Sequence, residues 1–81
     1  MRIYLRREVV AIRRRLSERN RAELFSRLEM LLKTDQAPEW TIEAHSKPGS
    51  REFFLGGYWF IYRVDRSAGE PAIIVAAVEE N

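Results

Sequence analysis

The chain has 81 residues, a formal net charge of +2 and no cysteine. A chain of this length predicts one small domain, residues 1–81, and folding buries only about 60% of its unfolded surface, which argues against a deep active site. The lack of cysteine excludes disulfides, thiolate catalysis and cysteine-ligated metals, and it suits a reducing cytoplasm.

The first residues, Met1 to Leu5, predict a β-strand, because Ile3 and Leu5 alternate with Arg2 and Tyr4. Charged residues follow at once, so we expect no signal peptide. No run of about 18 apolar residues is present to span a membrane. We therefore expect a cytoplasmic protein without membrane contact.

A change of period at Arg7 predicts the first helix. Its apolar residues recur at helical spacing at Val9, Ile12 and Leu16. A second helix is predicted after a break at residues 17–20, with Asn20 as its N-cap and Glu23 completing a capping box. Its apolar stripe consists of Leu24, Phe25, Leu28, Leu31 and Leu32. One continuous helix is the alternative, but it would bring Asn20 near the apolar face.

The charge of the chain is unevenly distributed. Residues 1–33 hold ten Arg and Lys against four Glu, whereas residues 34–81 hold four against eight Asp and Glu. Arginine, the main cation here, suits bidentate recognition of phosphate or carboxylate. Arg13, Arg14 and Arg15 are therefore candidates for binding nucleic acid or an acidic partner. The alternative is that they are only the solvated face of a helix.

Residues 34–50 predict a long connection with a short strand around Trp40 to Glu43. Ordered loops of this length are often functional. His45, the one histidine, lies within it. Its imidazole is either an ordinary surface group or a general acid–base near neutral pH.

Residues 51–65 predict a β-hairpin with Gly56 and Gly57 as its two-residue turn, because both central positions of such turns favour positive φ. The predicted pairs, from the turn outward, are Leu55 with Tyr58, Phe54 with Trp59, Phe53 with Phe60, Glu52 with Ile61, Arg51 with Tyr62 and Ser50 with Arg63. Alternate pairs point to opposite faces of the sheet.

The two faces of this predicted hairpin differ in chemistry. One resembles a core and carries Leu55, Tyr58, Phe53, Phe60, Tyr62 and Val64, with Arg51 at its edge. The other carries Phe54, Trp59, Ile61, Glu52, Arg63 and Asp65. A core would reject such charges unless they were paired, so we expect the second face to be open and to bind a partner.

The open face offers candidate functional groups. Trp59 and Phe54 are candidates for stacking on bases, Arg63 and Arg51 for binding phosphate, and Glu52 for acting as a base. Alternatively, the aromatic residues lie beneath a loop or a partner's helix, and Glu52 forms a cross-strand ion pair with Arg63. A β-bulge near the start of the hairpin would turn Arg51 onto the open face.

Residues 66–71 predict a turn, and Ala72 to Val78 predict a strand that is apolar on both faces, as in a central strand. The predicted class is α+β in the order β-α-α-β-β-β, with a helical hairpin packed on one face of an antiparallel sheet. The chain has neither a phosphate-binding glycine loop nor a cluster of His and Cys, so no cofactor and no metal site are predicted.

This order of elements, with Pro48-Gly49-Ser50-Arg51-Glu52 entering the hairpin and Tyr58-Trp59-Phe60-Ile61-Tyr62-Arg63-Val64 as its second strand, resembles the RelE/ParE superfamily of bacterial type II toxins. The resemblance covers nearly the whole chain through short motifs. It implies a toxin that a cognate antitoxin protein neutralises, as a homodimer or a toxin–antitoxin hetero-oligomer. Members either cut mRNA on the ribosome, using the open sheet face, or inhibit DNA gyrase without chemistry of their own.

Two departures from the superfamily bear on this choice. Trp59 stands where many interferases have arginine, and the C-terminal His or Tyr of several interferases is missing. The acid–base candidates are then His45 and Glu52, with Arg63 and Arg51 available to stabilise a transition state. The arginine-rich helices favour mRNA on the ribosome as the target. The alternatives are gyrase inhibition, a derived protein without toxicity, and a plain nucleic-acid-binding or interaction module.

Overall fold

Two helices and five strands make up the computed structural model, which describes residues 2–81. In chain order they are β1 (Ile3–Leu5), α1 (Arg7–Arg13), α2 (Glu18–Lys33), β2 (Ile42–Glu43), β3 (Arg51–Leu55), β4 (Tyr58–Asp65) and β5 (Ala72–Glu80). The α+β class is confirmed, and β2 is the short strand predicted in the long connection. Met1, which the predicted first strand included, lies outside the described residues.

The strands form one sheet in the order β1-β5-β4-β3-β2. This sheet is mixed, so the prediction of an antiparallel sheet was wrong: β1 runs parallel to β5, and the other neighbouring strands are antiparallel. Parallel neighbours require a crossover connection, which the helices and the intervening strands supply. The alternation in the first residues predicts a strand, but it carries no information on the direction of that strand within the sheet.

The two helices are separated by a break that Ser17 caps. The Ser17 hydroxyl accepts a 3.1 Å hydrogen bond from the backbone N–H of Asn20, which is therefore the third residue of α2 and not its N-cap as predicted. Before the cap, Arg15 and Leu16 donate to carbonyls three residues back. These tight turns end α1, and α2 begins directly after the Ser17 cap.

The core lies between the helices and one face of the sheet. It consists of Val9, Leu16, Leu24, Leu28, Leu31, Phe53, Leu55, Phe60, Tyr62, Ile73 and Val75. Phe25 departs from its predicted buried stripe, because it is 41% exposed and borders a shallow groove beside Ile3 and Leu5. Within residues 2–81, neither helix has the length and apolar character needed to span a membrane.

The predicted hairpin register is confirmed at every pair from the turn to Arg51 and Tyr62. Both turn residues have positive φ, 62° at Gly56 and 92° at Gly57. The one irregularity of β4 lies against β5, between Ile61 and Tyr62. Arg51 therefore stays on the core side of the sheet, as the regular register predicts.

Alanine in place of Gly56 is expected to destabilise the fold more than alanine in place of Gly57. The positive φ makes either change unfavourable by about 1–2 kcal/mol. A Cβ at Gly56 would also lie 2.9 Å from the Asn20 side-chain nitrogen and 3.1 Å from a Leu16 methyl, whereas one at Gly57 would meet nothing within 4 Å. Urea unfolding of the two variants measures the difference, and equal losses would contradict the packing of the turn on the helices.

Candidate nucleic-acid interface

The open face of the sheet is the side turned away from the helices. Directly paired residues point the same way, so the strand register defines its members as Tyr4, Ile42, Glu52, Phe54, Trp59, Ile61, Arg63, Asp65, Ala72, Ile74, Ala77 and Glu79. Four of the nine functional candidates from the sequence lie in this set, namely Glu52, Phe54, Trp59 and Arg63. The others are Arg51, His45 and the helix arginines.

A loop of residues 44–50 crosses part of the open face. It follows β2 at one edge of the sheet, yet the Ser46 hydroxyl lies 3.4 Å from a carboxylate oxygen of Glu79, to which it donates a hydrogen bond. Glu79 belongs to β5, three strands away. The loop therefore passes over β3 and β4, where Glu52 is 7% exposed and Ile61 is fully buried. The expectation that Ile61 lies open was wrong, because the chain covers it with its own loop.

The two acid–base candidates lie on different sides of this cover. Glu52 lies beneath it, whereas His45 is an exposed residue of the loop itself. Among the residues described, neither forms an ion pair with Arg63, so the suggested pair between Glu52 and Arg63 is not formed. A general base must come within hydrogen-bond distance of the proton that it removes. Glu52 can meet that requirement only if the loop moves, whereas His45 is already exposed to solvent.

Phe54 and Trp59 form an aromatic pair near the turn of the hairpin. Their ring centroids are 5.3 Å apart at an interplanar angle of 58°. Phe54 is 41% exposed, and Trp59 is half-buried with its indole N–H directed to the side-chain oxygen of Asn81 at 3.4 Å. Of these two rings, Phe54 is therefore the one that is exposed enough for stacking.

Arg51 is held by a structural contact on the core side of the sheet. Its Nε donates to the Thr41 hydroxyl at 3.1 Å and its Nη2 to the Thr41 carbonyl at 3.0 Å. Tyr62, its cross-strand neighbour, is buried, and this burial raises the pKa of the Tyr62 hydroxyl, while Thr41 and Arg51 act to lower it. Arg51 therefore fixes the start of β3 against Thr41, and it lines the same cavity as Arg63.

A cavity of about 250 Å³ lies at the edge of the sheet and is bordered by Arg51, Tyr62 and Arg63. Arg66 also lines it, donating to the Thr34 carbonyl at 3.0 Å and lying 3.9 Å from the Asp35 carboxylate. The guanidinium groups of Arg51 and Arg66 are thus engaged by the chain itself. Among residues 2–81, no cluster of His, Cys, Asp or Glu is arranged to hold a metal ion.

Six exposed arginines form a cationic surface on the helical segment. These are Arg6, Arg7, Arg13, Arg14, Arg15 and Arg19. The ion pairs within residues 2–81 use other arginines, namely Arg2, Arg27 and Arg66. The cationic surface therefore contains no ion pair among these residues, although two carboxylates, Glu8 and Glu18, lie in the same part of the chain. It belongs to the helical layer, so the structure separates Arg13, Arg14 and Arg15 from the candidates on the open face.

Sequence reasoning missed two residues of this region. Tyr4 is 54% exposed on the open face, and its alternation with Ile3 and Leu5 was the signal that placed it there. Thr41, which holds Arg51, is 4% exposed and gave no signal, because a threonine in a loop is common.

Comparisons with protein-family models, with curated proteins and with solved structures found no match to this chain.

Proposed function

We propose that this chain is a RelE/ParE-type toxin that acts on ribosome-bound mRNA, with the cationic surface binding RNA phosphates. The observation that carries the proposal is the set of six exposed arginines without an ion-pair partner among residues 2–81. Phosphate contacts by arginine release counterions, which gives nucleic-acid binding much of its strength and its salt dependence. The α+β fold with two helices on one face of the sheet supports the same proposal.

Cleavage of message would use Arg63 on the open face. The 2′-oxygen of the RNA forms a bond to the adjacent phosphorus to give a 2′,3′-cyclic phosphate, while the bond to the 5′-oxygen of the next nucleotide breaks and that oxygen takes a proton from water. The Arg63 guanidinium, exposed and without an ion pair among the described residues, would stabilise the charge that builds on the phosphate oxygens. His45, also exposed, is the accessible group for accepting the proton of the 2′-hydroxyl.

A second candidate function is inhibition of DNA gyrase without chemistry. The observation that favours it is the engagement of two predicted catalytic groups in the fold, since Glu52 lies beneath the loop and Arg51 is held by Thr41. A surface that only binds a protein target needs neither group to be free. In either case the proposed partner is a cognate antitoxin protein, and co-purification of a small acidic protein with the chain is the expected sign of it.

Induction of the chain alone in a bacterium separates these functions. Growth arrest with rapid cleavage of translated message is expected for the proposed toxin. Arrest with relaxed plasmid and intact message would replace it with the gyrase-directed function. Unimpaired growth, with the chain accumulating in folded form, would overturn both.

Replacing Arg14 and Arg15 together with glutamine is expected to weaken RNA binding and its salt dependence. The slope of log affinity against log salt should fall by up to about 1.4, because each phosphate contact to a single strand contributes about 0.7. Fluorescence anisotropy with a labelled single-stranded RNA measures the slope. The matched control replaces two exposed lysines outside the cationic surface, Lys33 and Lys47. An equal fall in the control would show that net charge matters and the cationic surface does not.

A further inference from the structure

Three residues form a row across the open face at the end that the loop leaves uncovered. Tyr4 on β1 pairs with Ile74 on β5, and Ile74 pairs with Arg63 on β4. Their neighbours along each strand pack in or against the core, so the row faces away from the helices. Tyr4 is 54% exposed and Arg63 is exposed, with Ile74 half-buried between them. The row therefore has an aromatic ring at one end, the apolar side chain of Ile74 in the middle and a cation at the other end.

The nearby charged groups leave Arg63 free to bind an anion. Asp65, the next open-face residue of β4, accepts two hydrogen bonds from Ser67, at 2.9 Å from its N–H and 2.6 Å from its hydroxyl. These bonds are the main reason that the pKa of the Asp65 carboxyl lies below its usual value, with smaller contributions from Arg63 and Arg2. Arg2 is engaged by the carbonyls of Glu70 and Pro71. Among the described residues, Arg63 makes no ion pair.

The spacing of the row suits one nucleotide. Neighbouring strands lie about 4.8 Å apart, so the backbones at Tyr4 and Arg63 are separated by roughly 10 Å. Bases stack on exposed aromatic rings, and arginine binds the phosphate in the same strand. Positive charge beside an exposed ring favours a single-stranded nucleic acid over an apolar protein segment.

We propose that Tyr4 and Arg63 form a subsite for one nucleotide of single-stranded RNA, with the base stacked on Tyr4 and its phosphate bound by Arg63. This inference rests on the proposed RNA-directed function and adds to it a place where the nucleotide that carries the reacting phosphate is held by its base. It assigns Tyr4 a binding role. The aromatic contact then lies at Tyr4 on the edge strand β1 and not at the half-buried Trp59 on β4.

Binding of a labelled single-stranded RNA to the whole chain tests the subsite. Tyr4→Ala is expected to weaken binding about tenfold, in line with the loss of one stacked base, whereas Tyr4→Phe keeps the ring and should bind almost as well as the parent chain. Met30→Ala, at a 51% exposed position on α2, is the control for loss of an exposed apolar side chain. With an RNA that has an abasic position at the subsite, located by scanning that position along the strand, Tyr4→Ala and the parent chain should bind equally.

Photocrosslinking gives a second readout that does not depend on the stability of a variant. An RNA with 5-iodouridine at the scanned position is expected to crosslink to Tyr4 in the parent chain. Crosslinking to Phe54 or Trp59, or a Tyr4→Ala variant that binds RNA like the parent, would overturn the subsite and leave the RNA-directed function in place. Absence of RNA binding by the parent chain would overturn both. Loss of binding to a protein partner alone in Tyr4→Ala would reassign the row to that partner.

Discussion

Replacing Phe53 with alanine is expected to lower the free energy of unfolding by about 3–5 kcal/mol. Phe53 is fully buried, and its ring lies 5.6 Å from that of Phe60, 5.4 Å from that of Trp40 and 6.0 Å from that of Tyr62. A domain of this size has roughly 4–12 kcal/mol of stability in total. The loss of one ring that contacts three others is therefore a large part of it, and urea unfolding followed by tryptophan fluorescence measures the change.

The next residue provides a control for this prediction. Phe54 points to the opposite face and is 41% exposed, so Phe54→Ala is expected to cost only about 1 kcal/mol, mainly from its contact with Trp59. Phe53→Leu, which leaves a smaller cavity, keeps the fold measurable if the alanine variant does not fold. A slip of one residue in the register would exchange the two faces. Equal losses at Phe53 and Phe54 would therefore contradict the register of the hairpin.

The hairpin is the part of the fold that the sequence predicts best. The turn at Gly56 and Gly57 needs positive φ, and a period of two follows from the turn in both directions. Every pair then depends on local geometry, so no knowledge of distant parts of the chain is needed. The same local argument predicts that Tyr4 points to the face of the sheet opposite to that of Ile3 and Leu5. Its neighbours on the adjacent strand became known only from the fold.

Long-range contacts explain what the sequence did not predict. The loop over the open face is held by Ser46 and Glu79, which are 33 positions apart. Neither residue has a periodic pattern that links it to the other. The parallel pairing of β1 with β5 depends in the same way on the path of the whole chain, since residues 6–71 lie between the two strands. A pattern that describes single elements cannot give either contact.

The candidate site was predicted only in part, because the face of a strand residue follows from local alternation but its burial depends on long-range contacts. Arg63 and Phe54 were assigned to the open face by alternation, and both are exposed there. The alternation also assigned Glu52 to that face, but its burial depends on the loop. Arg51 was placed on the core side, but its contact with Thr41 came from the fold of the connection. Face assignment is thus a property of the strand, whereas access to a group on that face is a property of the whole molecule.

Replacing Arg63 with glutamine is expected to lower the rate of mRNA cleavage by about 100- to 1000-fold, the usual effect of removing one group that stabilises charge in a transition state. Arg63 is the arginine that the fold leaves exposed on the open face, and among residues 2–81 it has no ion pair to lose. Its replacement should therefore change stability little. Primer extension on a message translated by purified ribosomes measures the rate, and thermal unfolding confirms that the variant is folded.

Two further variants decide how the Arg63 result is interpreted. Arg66→Gln removes the same charge from a residue engaged by Thr34 and Asp35, and it should cleave message like the parent chain. Glu52→Gln should do the same, because Glu52 is only 7% exposed beneath the loop of residues 44–50. If Glu52→Gln abolished cleavage and Arg63→Gln did not, the chemistry would belong beneath the loop. The loop would then have to open before the RNA is cut, and the exposed end of the open face would not contain the reacting phosphate.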